Sequence, residues 1–215
     1  MRKNIHNYDH VIWDWNGTLL DDVWLVLEVI NQMLKKRHLP IVDLKQYRNT
    51  FGFPVRDYYR KLGFDFSREP FNRLTEEFIV EYYSRLNECE LFPRTKKVLQ
   101  KFNRDGVNQS LLSAAKYENL RDKVQYYHIE SFFCGIIGLN DHYAESKIEK
   151  GRQWIRQLDI PRQKIVLIGD TYHDFEVSYH IGIDCILISN GHQDRQRLLT
   201  SGAEVVDSID EIVKS

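Results

Sequence analysis

The stretch Val11-Ile12-Trp13-Asp14-Trp15-Asn16-Gly17-Thr18-Leu19-Leu20 decides how this chain is read. Val11 to Trp13 has the length and composition of a buried strand. It runs directly into a carboxylate, Asp14. A turn built on Asn16-Gly17 follows, with a hydroxyl at Thr18. An apolar strand that ends in an aspartate beside a glycine turn presents a nucleophile at the edge of a sheet.

Outward from this stretch, helical patterns come first. Residues Asp21–Leu39 read as a helix, with Val23, Leu27, Ile30 and Leu34 at near-helical spacing, and Pro40 ends it. Helical periodicity continues through Asp43–Leu62 and Glu69–Asn87, where Glu76, Glu77, Glu81 and Arg85 form a solvated face. No strand is expected in this part. From Phe92-Pro93 the character changes. Strands are expected at Asn108–Ala114, Gly135–Gly138, Lys164–Gly169 and Cys185–Ser189. Helices are expected at Lys96–Arg104, Glu118–Tyr127, Lys147–Leu158, Phe175–Ile181 and Arg195–Ser201. Alternating strands and helices imply βαβ units, a parallel sheet and right-handed crossovers. The fold class is α/β: a Rossmann-like parallel-sheet core over residues 1–20 and 91–215, interrupted by an all-helical insert over 21–90.

Composition narrows the function. At 215 residues the chain is long enough for one substantial domain or a core with a small accessory domain. A formal net charge of -1 gives no electrostatic reason to expect nucleic acid or an anionic membrane as partner. No apolar run is long enough to span a bilayer. Met1 to His6 does not resemble a secretory leader, so a cytoplasmic location is expected. The cysteines, Cys89, Cys134 and Cys185, form no paired ligand motif. Cys134 and Cys185 lie in apolar runs and are expected to be buried free thiols. The 12 tyrosines and 11 phenylalanines read as packing residues.

Open α/β sheets bind ligands beyond the carboxyl ends of their strands. The first strand ends in Asp14, the second in Ser113, and the strongest in Gly169-Asp170-Thr171 with Asp174 one turn on. Lys147 opens the helix after the third. These groups suit a phosphoryl site. Asp14 and Asp170 together would hold Mg2+, a hard cation that takes few carboxylates. Lys147 and Ser113 would orient phosphate oxygens. Each also has an ordinary reading: Asp170 or Thr171 as a helix N-cap, Asn16-Gly17 as a plain turn, and Lys147 as no better a candidate than Lys150. Four such groups at successive strand ends favour the site.

These residues resemble the motifs of the haloacid dehalogenase superfamily, subfamily I, in particular its phosphoglycolate-phosphatase-type members. Asp14-Trp15-Asn16-Gly17-Thr18-Leu19 matches the first motif, Ser113 the second, Lys147 the third, and Gly169-Asp170-Thr171-Tyr172-His173-Asp174 the fourth. Phe92-Pro93-Arg94-Thr95 resembles the segment where such chains re-enter the core, with Arg94 in place of the usual glycine. The resemblance implies that the insert at 21–90 is a helical cap domain. It implies that Asp14 is the nucleophile, forming an aspartyl-phosphate. Mg2+ would be bound by Asp14, Asp170 and the main-chain carbonyl of Asn16, with Asp174 supporting it. Thr18 would hold the loop, and Ser113 and Lys147 would grip a small phosphorylated metabolite. Thr50-Phe51-Gly52-Phe53-Pro54 resembles the cap loop that reaches the active site, and Arg56 is a candidate substrate contact.

The family's second motif-one residue is a general acid/base Asp, and here it is Asn16. An amide does not transfer a proton in this range. Positioned acid–base groups contribute roughly 100- to 10,000-fold, about 3–5 kcal/mol of barrier. Several readings follow. One is a phosphatase with another proton carrier, such as His173, which also reads as a surface histidine, or with a preference for good leaving groups. Another is a catalytically weakened phospho-ligand binder. In a third, Asn16-Gly17 deamidates and restores the usual carboxylate pair. A phosphomutase or phosphonate hydrolase on the same scaffold is a further alternative. The phosphonate branch relies on a cap lysine, and Lys35, Lys36, Lys45 and Lys61 are available without one standing out.

Overall fold

The computed structural model describes residues 5–139 and 146–213. Residues 1–4, which carry most of the segment read for a leader, lie outside that range. A six-stranded parallel sheet forms the centre. Its strands are β1 (His10–Trp13), β4 (Asn108–Lys116), β5 (Gly135–Leu139), β6 (Ile165–Gly169), β7 (Asp184–Ile188) and β8 (Glu204–Val206), in the order β5-β4-β1-β6-β7-β8. From β1 the chain builds outward through β4 and β5. It then crosses back to β6 and builds the other half. The switch lies between β1 and β6, so Asp14 and Asp170 emerge beside each other at the crevice where such sheets bind ligands.

Alternation along the strands explains the layers. Val11, Trp13, Leu111, Val166, Ile168, Ile186 and Val206 face one way, against α5 (Thr95–Arg104), α6 (Tyr117–Tyr126) and α10 (Ile209–Ile212). Ile12, Leu112, Ile165, Leu167, Cys185 and Leu187 face the other, against α7 (Ser146–Gln157), α8 (Tyr172–Ile181) and α9 (Arg195–Leu199). Both faces are covered, which is why the inner strands read as continuous apolar runs. Trp13 fills the first layer, edge-on to Phe102 at 5.7 Å, and its indole N–H donates to Gln109 Oε1 at 3.1 Å.

Between the sheet's first two strands the chain passes through α1 (Val23–Lys36), α2 (Leu44–Thr50), α3 (Val55–Lys61) and α4 (Phe71–Arg85). A short antiparallel ribbon brackets this excursion: β2 (Leu20–Asp21) pairs with β3 (Glu90–Leu91). The aromatic residues pack here as expected, with Tyr47, Phe51 and Tyr58 in mutual ring contact.

Several elements differ from the sequence reading. The Asp43–Leu62 pattern is two helices, because Pro54 cannot continue α2 and instead precedes α3. Helix α8 starts at Tyr172 rather than Phe175. Thr171 and Asp174 form a reciprocal capping box that nucleates it earlier. β8 and α10 are too short to stand out by periodicity. Cys134 is exposed, not buried: it immediately precedes the sheet-edge strand β5. Cys89 and Cys185 are buried. Arg94 takes the left-handed backbone (φ +71°) that glycine adopts without penalty, and its guanidinium reaches Asp210 at 3.1 Å.

Trp13 is among the largest fully buried side chains of the core, so Trp13→Ala is expected to cost about 3–5 kcal/mol. Urea unfolding should show a lower midpoint at an unchanged slope.

Candidate active site

Asp14 continues the β1 ladder, its N–H donating to Ile168 O at 2.8 Å. This places its carboxylate beside the end of β6, where Asp170 follows Gly169. Asp174 is delivered by the first turn of α8. One oxygen each of Asp14, Asp170 and Asp174 lies within 4.8 Å of the others, and all three residues are buried. Lys147, near the start of α7 and also buried, bridges the group: its ammonium donates to Asp14 Oδ1 and Asp174 Oδ1, both at 2.6 Å.

Hydrogen bonds hold each carboxylate in place. Asp174 Oδ2 accepts from the N–H groups of Asp170 and Thr171 (3.2 and 3.0 Å) and from the Thr171 hydroxyl (2.7 Å). Asp170 accepts from the Thr18 hydroxyl at 3.0 Å and from the His192 N–H at 2.6 Å. Two glycines make room. Gly17 (φ +70°) has no space for a side chain, since a Cβ there would come within 2.3 Å of Asp170 Oδ2. At Gly191 a Cβ would meet the same oxygen at 2.2 Å.

The charge balance is incomplete. With all three carboxylates ionised, the single ammonium leaves two negative charges unbalanced in a buried cluster. Burial, together with Asp174 and Asp170 and against the pull of Lys147, pushes Asp14 up to about 8. Burial also pushes Asp170 up to about 6, against the influence of His192. Asp174 is held below the usual range despite burial, because Lys147 and the Thr171 hydroxyl favour its ionised form. The donor set is hard oxygen with a surplus of two negative charges, which suits a divalent cation such as Mg2+.

Ser113 is buried in β4, one residue beyond the level of Asp14 on the adjacent strand. The β4–β5 register breaks between Leu112 and Lys116, and in this irregular stretch Ser113 Oγ accepts from the Ala115 N–H at 3.1 Å. Arg56 is not brought to the cluster. It lies exposed, with its guanidinium over the rings of Phe66 and Phe71 at 5.4 and 5.8 Å. His173 is not a surface residue. Its side chain is only 10% exposed, packs on Phe53 at 4.8 Å and contacts Glu176 at 3.2 Å.

A second buried network went unread in the sequence. Asp22 Oδ1 accepts from the Gly17 N–H (2.9 Å) and lies 3.2 Å from His192 Nε2; its Oδ2 accepts from Asn16 Nδ2 (2.8 Å) and the Tyr82 hydroxyl (2.7 Å). Asn16 Nδ2 also donates to the Tyr82 oxygen at 2.8 Å, and His192 Nδ1 lies 2.7 Å from the Tyr47 hydroxyl. Burial alone would lower the His192 value; the adjacent Asp22, with Asp170 and Asp14, raises it to about 9 instead. Burial would likewise raise Asp22, but His192, Tyr82 and Asn16 hold it below the usual carboxylate range. His192 lies four residues past the end of β7, in the loop at the same sheet edge, so following Cys185–Ser189 past its end would have brought it into view.

The same loop meets the helical excursion. Arg48 donates to the carbonyls of Gly191 (2.8 Å) and Asn190 (2.5 Å). Gln193 donates to the Phe51 carbonyl at 3.0 Å, and Arg197 donates to it as well. The Thr50–Pro54 loop therefore does reach the strand ends.

Comparison with known proteins identifies the family. The family model for haloacid dehalogenase-like hydrolases matches residues 11–188. The chain belongs to this hydrolase family. Hydrolases of the family generally use Mg2+. A phosphoglycolate phosphatase of Synechococcus elongatus is 21% identical over 196 residues, covering 89% of this chain and 88% of the relative. The tyrosine-protein kinase PtkA of Mycobacterium tuberculosis is 24% identical over 188 residues, covering 85% of this chain and 62% of the kinase. A haloacid dehalogenase-like family hydrolase from Streptococcus pneumoniae superposes with a TM-score of 0.83 at 18% identity, covering 97% of this chain and 98% of the other, a likeness of fold.

A group whose folded value is raised contributes stability that is full below its unfolded value and fades as pH rises through the folded one. His192 contributes below 6.5 and ceases to by about 9. Asp14 acts in the same direction, from 3.8 to about 8. The urea midpoint of the metal-free hydrolase should therefore fall between pH 6.5 and 9, and His192→Gln should flatten the upper part of that fall. A midpoint that is level or rising over the window would contradict the assignment.

Proposed function

We propose that this hydrolase is a Mg2+-dependent phosphatase of small phosphomonoesters, of the phosphoglycolate phosphatase type, working through an aspartyl-phosphate on Asp14. The observation that carries the reading is the buried cluster of Asp14, Asp170 and Asp174 bridged by Lys147. Asp14, Asp170, Asp174 and the main-chain carbonyl of Asn16 would hold the cation. When bound, it supplies charge neutralisation and polarises phosphoryl oxygens. Asp14 attacks phosphorus, and the bond from phosphorus to the ester oxygen breaks. Lys147 carries positive charge towards the transferring group. Ser113, whose oxygen accepts from Ala115, keeps its hydroxyl hydrogen to donate to a phosphoryl oxygen. Water then hydrolyses the acyl phosphate and frees Asp14.

In this reading residues 1–20 and 91–215 form the catalytic core, and residues 21–90 form a cap that closes through Tyr47, Arg48 and Phe51. The substrate is a small phosphorylated metabolite in the cytoplasm; neither nucleic acid nor membrane is a partner. Among the described residues no helix is long and apolar enough to cross a membrane.

Asn16 shapes the expected activity. Its amide nitrogen donates to Asp22 Oδ2 and to the Tyr82 oxygen, and an amide has no acidic proton to transfer to a departing oxygen. Turnover should favour substrates whose leaving group departs without a proton. The same observation favours a second reading, a phospho-ligand binder with weak turnover.

The test is phosphate release with and without Mg2+ from p-nitrophenyl phosphate, acetyl phosphate and phosphoglycolate. Expected is Mg2+-dependent turnover that Asp14→Asn abolishes, with the activated esters favoured. No turnover on any of the three, with ligand binding retained, would support the binder instead. Because Asp14 must lose its proton to bind a cation, apparent Mg2+ affinity should rise from pH 6 to about 8 and level off above it. Isothermal titration across that range checks this.

A further inference from the structure

The corner of the site around position 16 has room for one carboxylate, and it stands at position 22. Asp22 is 1% exposed, and Tyr82 and His192 are also buried. Four donors converge on the Asp22 carboxylate: the Gly17 N–H, the Asn16 amide, the Tyr82 hydroxyl and His192 Nε2. Asn16 Nδ2 lies 2.8 Å from both Asp22 Oδ2 and the Tyr82 oxygen, as donor to this pair. A carboxylate at 16 would have no hydrogen to give. It would bring an oxygen against Asp22 Oδ2 in a region shielded from water, where like charges repel strongly. The one Tyr82 hydrogen could serve only one of the two acids.

We propose that Asp22 is a positioning residue of the nucleophile loop and that it dictates the amide at position 16. Asp22 holds Asn16 and Gly17, and with them the turn that follows Asp14. Through Tyr82 it ties that turn to α4. Through His192, which also donates its main-chain N–H to Asp170 and contacts Tyr47, it ties the turn to the Asp170 corner and to α2. Asn16 is thus one half of an amide–carboxylate pair. Replacing it by Asp, or deamidating it, breaks the pair and does not restore an acid–base dyad. The positioning role rests on Asp14 being the nucleophile; the pairing of residues 16 and 22 does not.

The test is a double-mutant cycle on the full chain: parent, Asn16→Asp, Asp22→Asn and the reversed pair Asn16→Asp/Asp22→Asn. In the reversed pair an amide at 22 still donates to residue 16, and its oxygen still faces the Gly17 N–H and His192. Urea unfolding at neutral pH without metal is the first readout. Each single variant should lose stability, and the reversed pair should regain most of the Asn16→Asp loss. kcat and KM for p-nitrophenyl phosphate with Mg2+ are the second. Asn16→Asp should lower kcat by roughly tenfold or more through misplacement of the loop, and the reversed pair should recover part of it. An Asn16→Asp protein as stable as the parent, additive losses in the reversed pair or its failure to fold, or a rise in kcat for Asn16→Asp would each overturn the proposal. A parent without turnover would count against the phosphatase reading alone, and the unfolding cycle would still decide the pairing.

Discussion

Lys147 Nζ lies 2.6 Å from Asp14 on one side and from Asp174 on the other, and the arrangement of the strand ends depends on this buried bridge. Three carboxylates cannot share a water-poor crevice unless something offsets their repulsion. Lys147 offsets part of it, and the N–H groups and hydroxyls around Asp170 and Asp174 offset more. Two negative charges remain. The site is therefore poised to take up positive charge, and the elevated values of Asp14 and Asp170 express the same strain as proton affinity.

The topology explains why these residues meet. Asp14 follows β1 and Asp170 follows β6, and the two strands are neighbours although about 150 residues separate them in sequence. The parallel sheet brings its carboxyl ends to one edge, and α8 and α7 start close to that edge, bringing Asp174 and Lys147. Alongside lies a second buried ion pair, Asp22 with His192, which balances its own charge. It joins the loop after Asp14, the Asp170 corner and the helical excursion, so the geometry of that loop and the docking of α2 and α4 are coupled.

The sequence reading recovered the parallel core and all four members of the bridged cluster, because each follows an apolar run or opens a helix after one. It expected Ser113 at the end of its strand; β4 instead runs on to Lys116, with the register broken around Ser113. It missed Asp22, His192, Tyr47 and Tyr82 for a physical reason. The bonds that join these four to one another span 60 to 170 residues, so the sequence could not pair them, even where His192 lies in the loop after an expected strand. Arg56 was chosen from its place near a loop, yet its helix carries it onto the rings of Phe66 and Phe71. Asn16 was read as an absence of acid; the structure gives it a partner. Pro54 and Thr171 were visible as residues, but the break before α3 and the reciprocal Thr171–Asp174 cap that starts α8 at Tyr172 were not drawn from them.

The central claim is that Asp14 accepts a phosphoryl group. Its most direct test is acid-quench trapping after brief exposure to radiolabelled acetyl phosphate and Mg2+, with reduction of the acyl phosphate and peptide mapping. If Asp14 is the acceptor, an amide at position 16 leaves hydrolysis of the acyl phosphate without a positioned base, so label should accumulate on Asp14 as an early burst that disappears in Asp14→Asn. Release of phosphate without label on Asp14 at any time, or equal labelling of Asp14→Asn, would contradict the account.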